Sequence, residues 1–364
     1  MDVPLLLTVT SLVLFGLLMV YSASFIFAQE RSGDGFALIK KQLGFALLGG
    51  AGLVAACRTD YRRWSKWATG ALALAGILLI LVRVPGIGVR VGGAQRWLRL
   101  GWLQFQPGEL AKFAVLMFVA WQLDRKKDRL QHFAAGVVSP YLLTLPVLLL
   151  LLAQPDFGTV VMVAAVVFAQ LFLAQVPLRH LAVTAISGLT VGALLAMGTA
   201  YRRARVMAFL DPWVDPAGKG FQIIQSMLGL HNGGVWGVGL GNSKEKLFYL
   251  PEAHNDFIAA VIGEELGFLG LACMAAAYLF LLVRGLQLSW RCFERTGDRF
   301  ALYLGSGITL ALSMQGFVNM AVVLGLLPTK GLNLPFISYG GSSLVIDLFA
   351  VGILLSIGRG PVKT

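Results

Sequence analysis

Ten apolar stretches, each close to the length needed to cross a bilayer, constrain this chain more than any other feature. A hydrocarbon core of roughly 30 Å takes about 20 helical residues. On that ruler the spans are 4–28, 41–58, 66–84, 108–123, 135–153, 157–174, 181–200, 257–284, 300–327 and 343–358. Irregular backbone and open sheet edges cannot face lipid. The expected fold is therefore an all-α polytopic membrane protein with about ten transmembrane helices, a single integral membrane domain over 1–364. Composition agrees, with 57% hydrophobic and 13% charged residues against about 25% charged in a soluble domain. The net charge of +12 fits anionic headgroups or an anionic substrate. Without a soluble basic domain, nucleic acid is not an expected partner. The N-terminus lacks a basic leader region and a small-residue cleavage site, so span 1 is expected to be retained. Cys57, Cys273 and Cys292 have no metal-ligand spacing and are expected as free thiols.

Charge sets the orientation. With both termini inside, half of the 30 Lys and Arg fall on inside segments. Most of the rest lie in or beside two long segments, 83–112 and 201–256, and long loops count least in the positive-inside rule. Both termini are then cytoplasmic and both polar segments face outward. Segment 201–256, between spans 7 and 8, is expected to fold back over the bundle and cap a cavity. The outward surplus of cations calls for an anionic substrate.

In the first polar segment, Pro85, Gly86, Gly88, Gly92 and Gly93 forbid a regular helix. Arg96 and Arg99 interleave there with Trp97, Leu98 and Trp102, a pattern suited to the membrane interface. Glu109 and Lys112 are three apart and share a face at the start of span 4. Asp156 stands at the outer start of span 6, where it either caps the helix or contributes to a site. The second segment carries Arg202, Arg203 and Arg205, then Asp-Pro turns, a short interfacial helix FQIIQSMLGL, and the glycine-rich NGGVWGVGLGNS. Lys244, Lys246, Glu252, His254 and Asp256 follow. Asp256 is expected to begin span 8, sharing a face with Ala260 and Glu264, the latter about 12 Å deeper. His254 beside it is either a dyad partner or a structural hydrogen-bonder. Segments 124–134, 175–180 and 285–299 read as solvated turns.

Zinc chemistry is not expected, because the four His residues show no metal-binding spacing. A glycosidase employs two carboxylates, since a sugar alkoxide leaving group needs an acid. A pyrophosphate leaves without protonation, its charge held by Lys, Arg or a divalent ion. One carboxylate among cations therefore suggests group transfer from a pyrophosphate donor.

GAQRWLRLG, QPGELAK, QPDFGT, GLGNSKEKLFYLPEAHNDFIAAVIGEELG and GLLPTKGLNLPFISYGGSS resemble the successive motifs of the SEDS family, the shape, elongation, division and sporulation proteins. FLDPWVDP, YLPEAHNDF and LPTKG look like its division branch more than its elongation branch. Gly108 departs from the family pattern, which usually has Ser or Ala there. The resemblance implies ten membrane helices in the bacterial inner membrane and polymerisation of lipid II into glycan strands. It also implies a class B penicillin-binding transpeptidase as partner. Asp256 matches the family's essential aspartate and would be the general base. Lys112, with Arg202, Arg205, Lys244 or Lys246, would hold pyrophosphate. Glu109 and Asp156 would position Lys112 or a divalent cation, Mg or Mn. Trp97 would support the cavity wall.

A lipid II flippase needs the same cavity and cations without bond formation, and a scaffold for the transpeptidase needs neither. The flippase reading lacks the internal repeats common in transporters, and the scaffold leaves the buried carboxylates unexplained. Spans 8 and 9 carry Gly267, Gly270, Ala272, Ala275, Gly305, Ser306 and Gly307. Such small residues let membrane helices approach closely, so a single-span partner is expected on that side.

Overall fold

The computed structural model describes residues 2–91, 94–100, 103–218, 220–246, 253–329 and 331–360. Its helices are α1 (Val3–Ser32), α2 (Ala37–Arg58), α3 (Arg62–Arg83), α4 (Pro107–Arg125), α5 (Ser139–Ala153), α6 (Phe157–Leu173), α7 (Leu178–Met197), α8 (Ala200–Leu210), α9 (Phe221–Gly233), α10 (Ile258–Thr296), α11 (Arg299–Val323) and α12 (Gly341–Arg359). All but α8 and α9 follow the ten apolar stretches. Eight helical segments are long and apolar enough to cross a membrane on their own. The short α6 and the Glu109- and Lys112-bearing α4 complete the set.

α11 and α12 form the centre of the bundle, whereas α7 buries only Leu181 among its described side chains. α12 lies along α2, α10 along α11, and α3 along α4. Glycine permits these close crossings: a Cβ on Gly352 of α12 would clash with the Leu53 carbonyl of α2. The same holds for small residues expected to face a partner. A Cβ on Gly305 would strike Ser289, and one on Gly307 would meet Gln170. Those residues of α11 serve the bundle's own packing and leave no docking face. Cys57, Cys273 and Cys292 are free thiols, as expected.

Three local readings change. Segment 285–299 is not a solvated turn, because α10 runs on to Thr296 and buries Leu288, Ser289 and Cys292. The chain reverses only at Gly297 (φ 68°), and Asp298 then caps α11 by accepting from the Ala301 amide. Charged residues on the outer face of those last turns disguised a helix as a loop. Segment 83–112 holds a three-stranded antiparallel sheet, β1 (Gly88–Val91), β2 (Ala94–Leu100) and β3 (Leu103–Phe105), with Val89 opposite Trp97 and Leu98 opposite Phe105. Finally, α10 begins at Ile258, so Asp256 sits in the turn before it and shares no helical face with Ala260 and Glu264. The Asp256 carbonyl accepts from Asn319 Nδ2 at 2.8 Å, which holds that residue out of the helix.

α9, expected as an interfacial helix, is present and packs on α10 and α11, with Ser226 donating to the Val323 carbonyl at 2.8 Å. α10 itself is broken at Gly267 (φ 68°, ψ −165°), where the backbone of Val235 and Gly237 presses against it. A side chain there would face both a left-handed backbone and a filled space.

Candidate active site

Two cavities meet at one end of the bundle. The larger, about 1220 Å³, is walled by α1, α2, β2, α8, the turn before α10 and the segment between α11 and α12. Among its described lining residues Asp256 is the single acid, against Arg31, Lys41, Arg96, Arg202 and Arg205. The second, about 1000 Å³, is largely apolar and runs between α5, α6 and α7, with Tyr141, Phe157 and Phe168 in its wall. Arg96, Arg202 and Arg205 line both and mark where they join.

The backbone around Asp256 is fixed at three successive carbonyls. Tyr339 N donates to the His254 carbonyl at 2.9 Å, Ser338 Oγ to Asn255 at 2.7 Å, and Asn319 Nδ2 to Asp256 at 2.8 Å. Asn319 also donates to the Leu332 carbonyl at 2.7 Å, tying the turn to the opposite wall. Gly331 stands between Asp256 and Arg96: a Cβ there would lie 3.3 Å from Asp256 Oδ2 and 3.8 Å from Arg96 Nη1. The acid and the guanidinium therefore converge on one point.

Each arginine is aimed by a backbone carbonyl. Arg96 on β2 donates to Gln154 at 2.9 Å and to Pro155 at 2.5 Å. Arg202 donates to Leu195 at 3.1 Å and stacks over Phe157, and Arg205 donates to Thr329 at 3.3 Å. Trp97 lines the larger cavity from β2. His254 is buried between the rings of Phe27 and Tyr339, 5.0 and 5.9 Å away. Asp156 caps α6, accepting from the Thr159 amide and hydroxyl, and lines the apolar cavity.

Other expected site residues lie elsewhere. Lys112 is 3% exposed and lines neither cavity. Its Nζ contacts Glu109 at 2.8 Å, Gln315 at 2.6 Å and Asp347 at 3.8 Å. Gln315 in turn donates to the carbonyl of the cavity residue Asn333 at 2.8 Å. The Glu109–Lys112 pair thus sits one side chain behind the cavity wall. Lys246 is buried on Glu265 at 2.9 Å, and Glu264 accepts from the Ser243 hydroxyl and from the Lys244 and Glu245 amides. Lys244 is exposed. Lys246, Glu264 and Glu265 pin the glycine-rich loop onto the broken part of α10, and none of them lines the described cavities. Glu252 lies outside the described residues.

Sequence reading missed Asp347, Gln315 and Asn319. Asp347 had a usable signal, an acid inside the apolar last span, where an ionisable group must be paired. The two amides gave none, because uncharged polar residues on a membrane helix can equally join helices.

Glu245 belongs to the pinned loop. Burial and the neighbouring Glu264 carboxylate push it up to about 7 from an ordinary 4.5. A raised carboxyl supports the folded loop fully below its unfolded value and loses that support as pH rises through the folded one. Amide exchange in residues 234–246 is therefore expected to quicken, beyond its intrinsic pH dependence, as pH rises from about 4.5 to about 7. Glu245→Gln should abolish that step. An unchanged step in the variant would assign it to another group.

Among the described residues, no three His, Cys, Asp or Glu converge as a metal-ligand set.

The sequence model of the FtsW/RodA/SpoVE cell-cycle proteins matches residues 3–361. The chain belongs to this family. A probable peptidoglycan glycosyltransferase FtsW of Geobacter sulfurreducens is 48% identical over 357 residues, covering 98% of this chain and 94% of that one. A second, from Thioalkalivibrio sulfidiphilus, is 43% identical over 364 residues, covering 100% and 91%. Among solved structures, a chain from a peptidoglycan synthase complex that coordinates polymerisation and crosslinking matches with a TM-score of 0.76 at 33% identity, covering 98% of this chain and 97% of that one. Thermus thermophilus RodA, a rod shape determining protein, matches with a TM-score of 0.69 at 30% identity, covering 98% and 96%. Membership in the FtsW/RodA/SpoVE family and the helical bundle together make this a multi-pass membrane protein.

Proposed function

We propose that this chain is the peptidoglycan glycosyltransferase of its family, of the FtsW type, joining lipid II units into glycan strands for cell division. The observation that carries the reading is Asp256, the single described acid in a cavity of cations, with its backbone fixed from three sides. Its carboxylate accepts the proton of the acceptor's GlcNAc 4-hydroxyl. The freed oxygen attacks the donor's MurNAc C1 and inverts it. The C1–O bond breaks with its electron pair going to undecaprenyl pyrophosphate. Arg96, Arg202 and Arg205 stand where that charge develops, already oriented by backbone carbonyls. The adjoining apolar cavity accommodates a polyprenyl chain. Glu109, Lys112 and Asp347 act as positioning residues through Gln315 and Asn333.

The cavity end faces outward in this reading, and both termini are cytoplasmic. Arg58 and Arg359 meet at the opposite end, where Arg359 donates to the Arg58 carbonyl, in keeping with the positive-inside rule. Purified protein given lipid II tests the function directly: polymer on a gel supports it, and untouched substrate contradicts it.

A class B penicillin-binding transpeptidase is the proposed partner. One face of α10 carries Leu269, Cys273, Ala276, Phe280 and Val283, all exposed. Their alternating spacing of four and three matches the seam of a left-handed helix pair. With the transpeptidase co-expressed, the native Cys273 or an Ala276→Cys variant should crosslink to a cysteine in its membrane helix. Crosslinks confined to α2 and α3 would contradict this placement.

A further inference from the structure

The glycine-rich loop over 234–246 takes no part in the reaction above, and the break in α10 accounts for its course. In an unbroken helix the amides of Phe268 and Leu269 would donate to the carbonyls of Glu264 and Glu265. Gly267 opens both bonds, and the loop meets all four groups. Phe268 N donates to the Gly234 carbonyl at 2.8 Å and Leu269 N to Val235 at 3.3 Å. Val238 N donates to Glu264 and Gly239 N to Glu265, each at 3.0 Å. Irregular backbone is tolerated at membrane depth only where its polar groups are satisfied in this way. The depth can be measured along α10. Arg284 pairs with Asp2 at 2.7 Å, beside the first turn of α1, and marks the membrane edge opposite the cavity. From Arg284 back to Phe268 the helix rises about 24 Å at 1.5 Å per residue, against a hydrocarbon core of roughly 30 Å. Tilt only lessens that height. The break, and the loop backbone paired with it, therefore lie below the membrane surface on the cavity side. At that level Trp236 is 81% exposed, more than any other large apolar side chain described, with Val235 and Phe268 also exposed.

We propose that residues 234–240 form a re-entrant wedge seated in the leaflet on the cavity side, with Val235 and Trp236 against lipid. The partner of this surface is the bilayer itself. Its apolar side chains continue the lipid-facing length of α10, where Leu279 is also exposed. An indole suits the boundary between acyl chains and headgroups, because one end of it is apolar and the other carries a donor. A loop standing in water would turn polar side chains outward. This one does so only farther along, at the exposed Asn242 and Lys244, where it leaves the lipid. Beyond that point Lys246 on Glu265 and Ser243 on Glu264 tie the loop back to α10. The wedge therefore fixes the outer part of α10, and the turn at Asp256 that precedes it, against the membrane.

Depth measured at single positions tests this, with the full chain in phosphatidylethanolamine/phosphatidylglycerol vesicles and no transpeptidase. With Cys57, Cys273 and Cys292 replaced by alanine, a spin label is placed at Trp236→Cys, at Lys244→Cys on the same loop, or at Leu279→Cys on α10. Oxygen concentrates among acyl chains, and a water-soluble nickel chelate stays outside. The oxygen-to-nickel collision ratio at Trp236→Cys should exceed that at Lys244→Cys and approach that at Leu279→Cys. A ratio equal to that at Lys244→Cys overturns the wedge. A label shielded from both reagents overturns it in favour of a protein contact. So does a label that nickel reaches until the transpeptidase is added, which would make that partner the occupant. A second measurement keeps the native cysteines. Lipids brominated on their acyl chains should quench the tryptophan fluorescence of the parent by a larger fraction than that of Trp236→Phe. Equal quenching of the two proteins would overturn the wedge independently.

Discussion

Asp256→Asn lowers glycan synthesis on the order of 10²–10⁴-fold, the usual contribution of a general base, while lipid II binding changes little. The substitution keeps side-chain shape and one acceptor oxygen but removes the ability to take a proton. The backbone bonds from Tyr339, Ser338 and Asn319 all go to main-chain carbonyls and survive it. The turn before α10 therefore keeps its position, and loss of activity reports on chemistry. The N-cap of α10 is Phe257, which makes no side-chain cap bond. A kcat near the parent's in Asp256→Asn would remove the base assignment. A raised KM with parental kcat would make Asp256 a binding group instead.

Lys112→Met costs the protein stability of about 3–5 kcal/mol, the penalty for stripping the partner from buried charges. A clamp facing the substrate would instead leave a folded, inactive protein. Lys112 stands between Glu109 and Asp347, at 2.8 and 3.8 Å, with Gln315 as a third contact. Removing it leaves two buried carboxylates facing each other across the centre of the bundle. The expected result is poor yield and a lowered unfolding midpoint in detergent. The triple variant Lys112→Met/Glu109→Gln/Asp347→Asn, with no charge left unpaired, should recover much of the folding. A Lys112→Met protein that unfolds at the parent temperature would contradict the buried cluster. A triple variant that folds yet polymerises poorly would support the positioning route through Gln315 to Asn333.

Span count and the outline of the site could be read from sequence because both follow from the cost of polar groups in hydrocarbon. Apolar runs fix where helices cross, and the polar residues that interrupt them collect at one end; the structure adds Arg96, read from sequence as interfacial, to the same cavity as Arg202, Arg205 and Asp256. What sequence could not supply is which charges are already paired. Lys246 and Lys244 look alike as loop cations, yet Lys246 is buried on Glu265 while Lys244 is exposed. Glu264 reads from sequence as a deep neighbour of Asp256, yet it holds the Ser243–Glu245 turn and lines neither cavity. The sheet of residues 88–105 was hidden for another reason. Its short strands alternate arginine with aromatic and aliphatic residues, a pattern shared by interfacial loops.

The most direct measurement of the central claim uses the purified protein in vesicles with labelled lipid II and a class B transpeptidase whose own crosslinking is blocked by penicillin. The account predicts glycan chains on a gel, one undecaprenyl pyrophosphate released per bond, and β-linked products from α-linked donors. Lipid II that crosses the bilayer without being joined would contradict it and make the cavity a transport path.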